Sequence, residues 1–150
     1  MVHLEAYRQA PEFWAQVVEQ SCLALSAEAG TFFELSENQK ELHVLASYGV
    51  RPARLSQASF PVDKGISGWA ATHRRSLCVN DVDGDSRFNP DVDLQMQFKT
   101  VAILCAPVAL PDRLYGVIEI LNPRERPFSA EDVEFLEALA GAAAALYKKR

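Results

Sequence analysis

The stretch Asn80–Pro107, NDVDGDSRFNPDVDLQMQFKTVAILCAP, runs an acidic, turn-rich loop directly into an apolar strand. Asx-rich turns, the lone aromatic Phe88, carboxylates at Asp85, Asp91 and Asp93, and the pair Gln97 and Thr100 precede the apolar run Val101–Cys105. Polar groups converging on a hydrophobic wall are the makings of a small-molecule site. A solvated loop is the plain alternative.

The 150 residues of the chain suffice for one domain with a sizeable core. A hydrophobic content of 49% and charged content of 23% are those of a soluble globule, and no segment nears the ~20 apolar residues needed to span a bilayer. Glu5, Arg8 and Glu12 leave no apolar signal-peptide region near the start, so a cytoplasmic setting is expected, alone or as part of a larger protein. A net charge of −5 disfavours nucleic acid and anionic membrane as partners. The one basic cluster, Lys148–Arg150, ends a helix, where it offsets the macrodipole. Cys22, Cys78 and Cys105 are far apart among apolar neighbours and read as reduced core cysteines. His3 and His43 have no ligand-like companions, so no metal site is expected.

Upstream, Phe13, Trp14, Val17, Val18, Cys22 and Leu25 recur at helical spacing, with Pro11 suited to a first turn. Thr31–Leu35 and Glu41–Tyr48 read as strands joined by the turn 36–40, with Gly49 and Pro52 closing the second. Phe60–Val62 is a short extended piece and Gly65–His73, GISGWAATH, a short helix; Leu77–Val79 is a brief strand. A two-turn helix is expected over Asp91–Gln97, capped by Asn89 or Asp91. Downstream, Thr100–Leu110 and Leu114–Leu121 form a hairpin through residues 111–113, apolar enough that both faces require cover. Ser129, with Asp132 three residues on, opens a last helix whose apolar surface comprises Phe135, Leu136, Leu139, Ala140, Ala143, Leu146 and Tyr147. The run 142–145 lets another helix approach closely. This order gives an α+β domain around a five- or six-stranded, mainly antiparallel sheet.

The succession of the GISGWAAT helix entry, the NDxxxDxRFNxxxD loop, the FKTxxILCxP strand and the GVIEILN strand followed by Phe128 and Asp132 resembles GAF domains. The likeness is to the regulatory GAF domains of cyclic-nucleotide phosphodiesterases and cyanobacterial-type adenylyl cyclases, and spans about residues 13–146. It implies one GAF domain over 1–150, core about 13–147, with a profilin-like six-stranded antiparallel sheet. Terminal helices, about 11–26 and 129–148, would cover one face and form a homodimer, with a ligand pocket on the other face. The implied role is non-catalytic: a sensory module controlling a cyclase, phosphodiesterase, kinase or transcription-activator output. Residue by residue, the ligand positions are Ile66, Ser67, Asn89, Asp93, Met96, Thr100 and Glu119, and the pocket-bracing ones Asn122, Phe128 and Asp132. Amides at the Gly65–Gly68 entry suit a phosphate.

The chain departs from the family pattern at two places. Met96-Gln97 stands where nucleotide-binding members carry Thr-Gly, and methionine cannot make the threonine's hydrogen bond. Pro123 and Val133 replace the lysine and glutamate of the Asn-Lys…Phe-x-x-x-Asp-Glu signature, leaving Arg124 or Arg126 to pair with Asp132, itself explicable as a capping residue. Cyclic AMP or cyclic GMP, another small ligand and no ligand therefore all stay open.

Several residues carry plain alternatives. Glu119 interrupts an apolar strand and must face water, a partner or a ligand. Trp69 is expected in the core, and His73 as a solvated helix-end group. Cys78 and Cys105 lack the context of tetrapyrrole attachment. Free methionine-R-sulfoxide reductases, stand-alone GAF enzymes of similar size, are the enzymatic alternative; their pocket-loop cysteine context is missing here. A ligand-free dimerisation module is the third reading.

Overall fold

Two long central strands organise the computed structural model, which describes residues 2–49 and 58–148, with side chains from residue 10 onward. These strands are β1 (Ala27–Leu35) and β6 (Arg113–Pro123), paired antiparallel from Ala27↔Pro123 to Glu34↔Gly116. On one side follow β2 (Glu41–Tyr48) and β3 (Ser59–Pro61), on the other β5 (Ile103–Leu110) and β4 (Leu77–Val79). The sheet order is β3-β2-β1-β6-β5-β4, every pair antiparallel.

Period-two alternation sends Phe32, Leu104, Ile118 and Ile120 to one face and Phe33, Ile103, Val117 and Leu121 to the other. Both faces are apolar, so each must be covered. Helices α1 (Val2–Ala24) and α4 (Ala130–Lys148) cover the first. Helices α2 (Gly65–His73) and α3 (Pro90–Met96) roof the second. The architecture is thus α+β, with terminal helices on one face and a lid on the other.

The sequence expectation places Pro11 in the first turn, but α1 begins at Val2 and carries Pro11 inside it. The preceding Leu4, Glu5, Ala6, Arg8 and Gln9 are strong helix formers, and the proline ring lies on the exposed side. Strand β1 likewise starts at Ala27 rather than Thr31. Gly30, inside that extension, marks a close approach: a Cβ there would lie 2.6 Å from Cys22 Sγ. Strand β5 begins at Ile103, not Thr100. Side chains consume the amides that would extend it: Asp93 takes that of Thr100, and Asn122 those of Val101 and Ala102. Pro52 lies outside the described residues.

Trp14 ties the helical layer to the sheet. It is 1% exposed, stacks on Phe32 at 3.9 Å, and meets Tyr147 of α4 at 5.1 Å. Replacing a buried aromatic by alanine costs roughly 3–5 kcal/mol. Trp14→Ala should lower the unfolding free energy by about that amount, read as an earlier urea midpoint with unchanged slope; a shift below ~1 kcal/mol would show the layer held elsewhere.

Candidate functional site

The α2 N-terminus and the segment from Asn80 to Thr100 meet above the middle of the sheet and enclose a cavity. Its walls include Ile66, Ser67, Asn89, Asp93, Thr100 and Glu119, six of the seven residues singled out from sequence. The seventh, Met96, does not line it. Met96 is 5% exposed and packs in the apolar layer with Val79, Val82 and Ile103, since the one apolar side chain of the last α3 turn that points down has only the sheet to meet.

Glu119 is the chemical centre. Strand β6 is interior to the sheet, so the solvent-edge alternative for this residue does not hold. The carboxyl is 6% exposed and accepts a hydrogen bond of 2.6 Å from Ser67 Oγ. Burial pushes its pKa up to about 7, the Ser67 bond opposing and the Asp93 charge adding to the rise. Thr31, directly opposite Glu119 across the β1–β6 pair, has a fully buried hydroxyl with no hydrogen-bond partner among the described residues. The sequence analysis passed over Thr31, because a threonine in a strand is ordinary; only the register sets it beside the carboxylate.

The lid is held by its own side chains. Asn89 caps α3, its Oδ1 accepting from Asp91 N at 3.1 Å. Both oxygens of Asp93 are bonded by Thr100, from N at 2.8 Å and from Oγ1 at 2.6 Å. Asp85 grips Arg87 through Nε at 2.9 Å and Nη2 at 2.6 Å, and these bonds lower its pKa to about 2. The enclosed space is only about 30 Å³, room for a water or two against the ~300–1,000 Å³ of usual ligand sites. In this closed state the lid's polar groups are bonded to one another.

The three residues expected to brace the pocket do not line the cavity. Asn122 accepts from Val101 N at 2.7 Å and Ala102 N at 3.2 Å, and donates to Lys99 O at 2.9 Å and Glu28 Oε2 at 3.1 Å. Phe128 is buried, its backbone doubly bonded by the Asn80 side chain at 3.0 Å each way. Asp132 receives Arg126 in a fork of 2.8 and 3.1 Å and accepts from Ser129 N at 2.9 Å, so ion pairing and capping coexist. Hydrogen bonds from Arg126 hold the Asp132 pKa below its usual value. Arg126, not Arg124, supplies the cation in the position left by Pro123.

Trp69 departs from its expected core place. It is half-buried, stacked on exposed His73 at 4.2 Å with the Arg87 guanidinium 5.1 Å from its ring centre. A nine-residue helix has one face for the sheet, and Ile66, Ala70 and Ala71 occupy it. Among the described residues no cluster of metal-ligating side chains occurs and no helix is long and apolar enough to cross a membrane. No cysteine is in the cavity lining among the described residues, although Cys105 sits opposite Glu119 on β5 with its Sγ 4.0 Å from Ile66 O. Cys105 is buried with its thiol pKa raised, Cys22 is pushed up to about 12, and half-buried Cys78 faces the helical layer.

A six-stranded antiparallel sheet with the terminal helices on one face and a lidded cavity on the other is the arrangement of GAF-like α+β domains. The family model for the GAF domain matches residues 9–145, and the chain belongs to that family. It is 32% identical over 81 residues to a probable 3',5'-cyclic phosphodiesterase of Caenorhabditis elegans, covering 54% of this chain and 11% of that protein. Over 89 residues it is 35% identical to the cone cGMP-specific 3',5'-cyclic phosphodiesterase subunit alpha' of Mus musculus, covering 58% and 10%. The chain thus spans about a tenth of these relatives' length. Among solved structures, the GAF domain of Acinetobacter phosphoenolpyruvate-protein phosphotransferase superposes with TM-score 0.76 at 18% identity, covering 90% of this chain and 79% of that one. Free methionine-R-sulfoxide reductase of Neisseria meningitidis gives 0.73 at 17% identity, covering 89% and 75%. At such identities these two speak for the fold alone.

Because the folded pKa of Glu119 is raised, its contribution favours folding at low pH and is lost as pH rises from the usual carboxylate range through about 7. Asp85 and Asp132, with lowered values, act oppositely but only below ~4. Glu119→Gln should therefore gain stability on the parent between pH 5 and pH 8, by roughly 3 kcal/mol at most. Parallel urea curves at the two pH values check this; a constant difference between the chains would show Glu119 ionised throughout.

Proposed function

We propose that this GAF domain is a non-catalytic regulatory module that admits a small ligand beneath α2 and α3 and pairs with a second copy through α4 to control a signalling output. The observation that carries the ligand reading is the Glu119–Thr31 pair. A carboxyl and an unpartnered hydroxyl are buried side by side under a lid, and each costs folding energy unless something bonds to it. Glu119 lines the cavity and Thr31 does not, so a hydrogen-bond donor on the ligand's inner edge would answer the carboxyl, and the purine edge of a cyclic nucleotide is the first candidate. The likeness to phosphodiesterases named for cyclic GMP supports that choice. Admission requires the lid to lift, because the closed cavity is an order of magnitude too small.

Calorimetry with cyclic AMP and cyclic GMP should give saturable heat with one of them. Ser67→Ala, which removes a partner of Glu119, should weaken that binding by about tenfold, the value of one charge-assisted hydrogen bond. No heat with either nucleotide rejects the nucleotide version and leaves the dimerisation role alone.

Pairing rests on α4. Leu136, Ala140, Ala143 and Ala144 face the sheet, while Phe135, Ala142 and Leu146 form a second apolar stripe facing outward, with Phe135 40% and Leu146 59% exposed. Small residues along it permit close helix approach. Leu146→Glu should shift the mass seen by light scattering from dimer to monomer without changing the thermal midpoint of the monomer; an unchanged mass would place any association elsewhere.

The reductase reading requires an accessible, low-pKa thiolate at the ligand. Among the described residues no cysteine lines the cavity, and burial raises the pKa of Cys22, Cys78 and Cys105 alike. The geometry favours the regulatory module.

A further inference from the structure

Beside the closed cavity lies an open groove of about 330 Å³, floored by Trp69 and His73 and edged by Arg87 and Lys64. Lys64, Gly65, Phe88 and Asn89 border both spaces. The partition is thin. Gly65 adopts φ +83, and a Cβ there would sit 3.4 Å from that of Asn89, so the two segments touch, with Phe88 and Lys64 also lining both spaces.

The two spaces differ in chemistry. Inward are Glu119 and Asp93, two acids whose only neighbouring lysine or arginine in the wall is Lys64 at the shared border. Outward, Arg87 is fixed by Asp85 through Nε and Nη2, which leaves Nη1 unbonded among the described residues. Three bonds from Arg87 use the Asp85 acceptors. Lys64 makes no ion pair among the described residues, and its side chain does not cap α2. The one acid in the groove wall, Asp63, is exposed at its rim. Donors without a partner among the described residues therefore gather in the groove, beside Trp69 and His73, while inside both Asp93 oxygens are taken by Thr100 and Glu119 accepts one bond, from Ser67.

We infer that cavity and groove are two halves of one ligand site, parted by Phe88 in this closed state. The ligand is a two-ended molecule: a donor edge for Glu119 inside, and outside a planar ring with an anionic group that Lys64 and Arg87 hold over Trp69 and His73. This rests on the ligand-binding reading above and adds the groove to it. Size agrees, since a ligand of ordinary dimensions fits the groove and not the inner space. Arg87 held by a carboxylate keeps its remaining N–H edge oriented, which suits a planar anion better than a mobile lysine would.

The test is a nuclear magnetic resonance titration of the nitrogen-15-labelled full chain with salicylate, a planar anion, and with benzamidine, a cation of similar size. Salicylate should move the indole N–H signal of Trp69, identified by its loss in Trp69→Phe, and benzamidine should leave it in place. Lys64→Met should weaken the salicylate response at least ~5-fold. In Phe88→Ala, salicylate should also shift the Ser67 and Thr100 amides of the inner cavity; if that variant loses signal dispersion, Phe88→Leu is the substitute. Equal response of Trp69 to both probes overturns the anion assignment. Silent inner amides in the Phe88 variants overturn the single site. A chain that binds a cyclic nucleotide by calorimetry while Trp69 ignores salicylate would keep the ligand reading and remove the groove from it.

Discussion

The central strand β6 has no free face, and this constraint shapes everything above and below it. Helices α1 and α4 bury Ile118 and Ile120, and the lid side buries Val117 and Leu121. A carboxyl placed in that run, Glu119, cannot reach solvent and cannot remain bare, because an unpaired buried acid costs several kcal/mol. The fold answers with the Ser67 hydroxyl from α2. That one bond links the sheet to the helix that roofs it, so the position of α2 and the state of Glu119 depend on each other.

The same logic distinguishes the two layers energetically. The helical layer is held by apolar and aromatic packing around Trp14, which is insensitive to pH and has no alternative partners. The lid is held by hydrogen bonds among Asp93, Thr100, Asn89, Asp85 and Arg87, groups that a ligand could take over one for one. The two layers thus differ in the kind of interaction that holds them. Packing is close to all-or-none, whereas exchangeable polar contacts let a lid open at modest cost.

Much of this was legible in the chain. Periodicity locates the terminal helices and the long strands, because amphipathic faces must match the two-sided sheet, and Ser129 with Asp132 and Asn89 before Pro90 mark helix starts by chemistry that acts locally, whereas the 3-10 turn Val82–Gly84 carries no such signal. What escaped depends on register and shape. Thr31 becomes notable only through its pairing with Glu119, and Gly30 hides a strand because its cause is Cys22, eight residues away. Trp69 was sent to the core by its type, but a short helix offers only one buried face and smaller residues had filled it. Six of the seven positions singled out by the resemblance line one cavity because motif order encodes the strand order; Met96 does not, since its apolar side chain is buried in the layer beneath the lid.

Met96 and Gln97 show what the departure from Thr-Gly does physically. Gln97 adopts φ 51, the left-handed region where a glycine would pay nothing and a side chain costs about 1 kcal/mol. The strain is offset locally: Gln97 N bonds Leu94 O and Phe98 N bonds Asp93 O, closing the end of α3. Burial of Met96 then anchors the turn, contributing roughly 2 kcal/mol where a threonine would contribute less. A threonine here would leave a hydroxyl needing a partner, and a ligand could be that partner. Met96 therefore makes the end of α3 a structural anchor packed on the sheet.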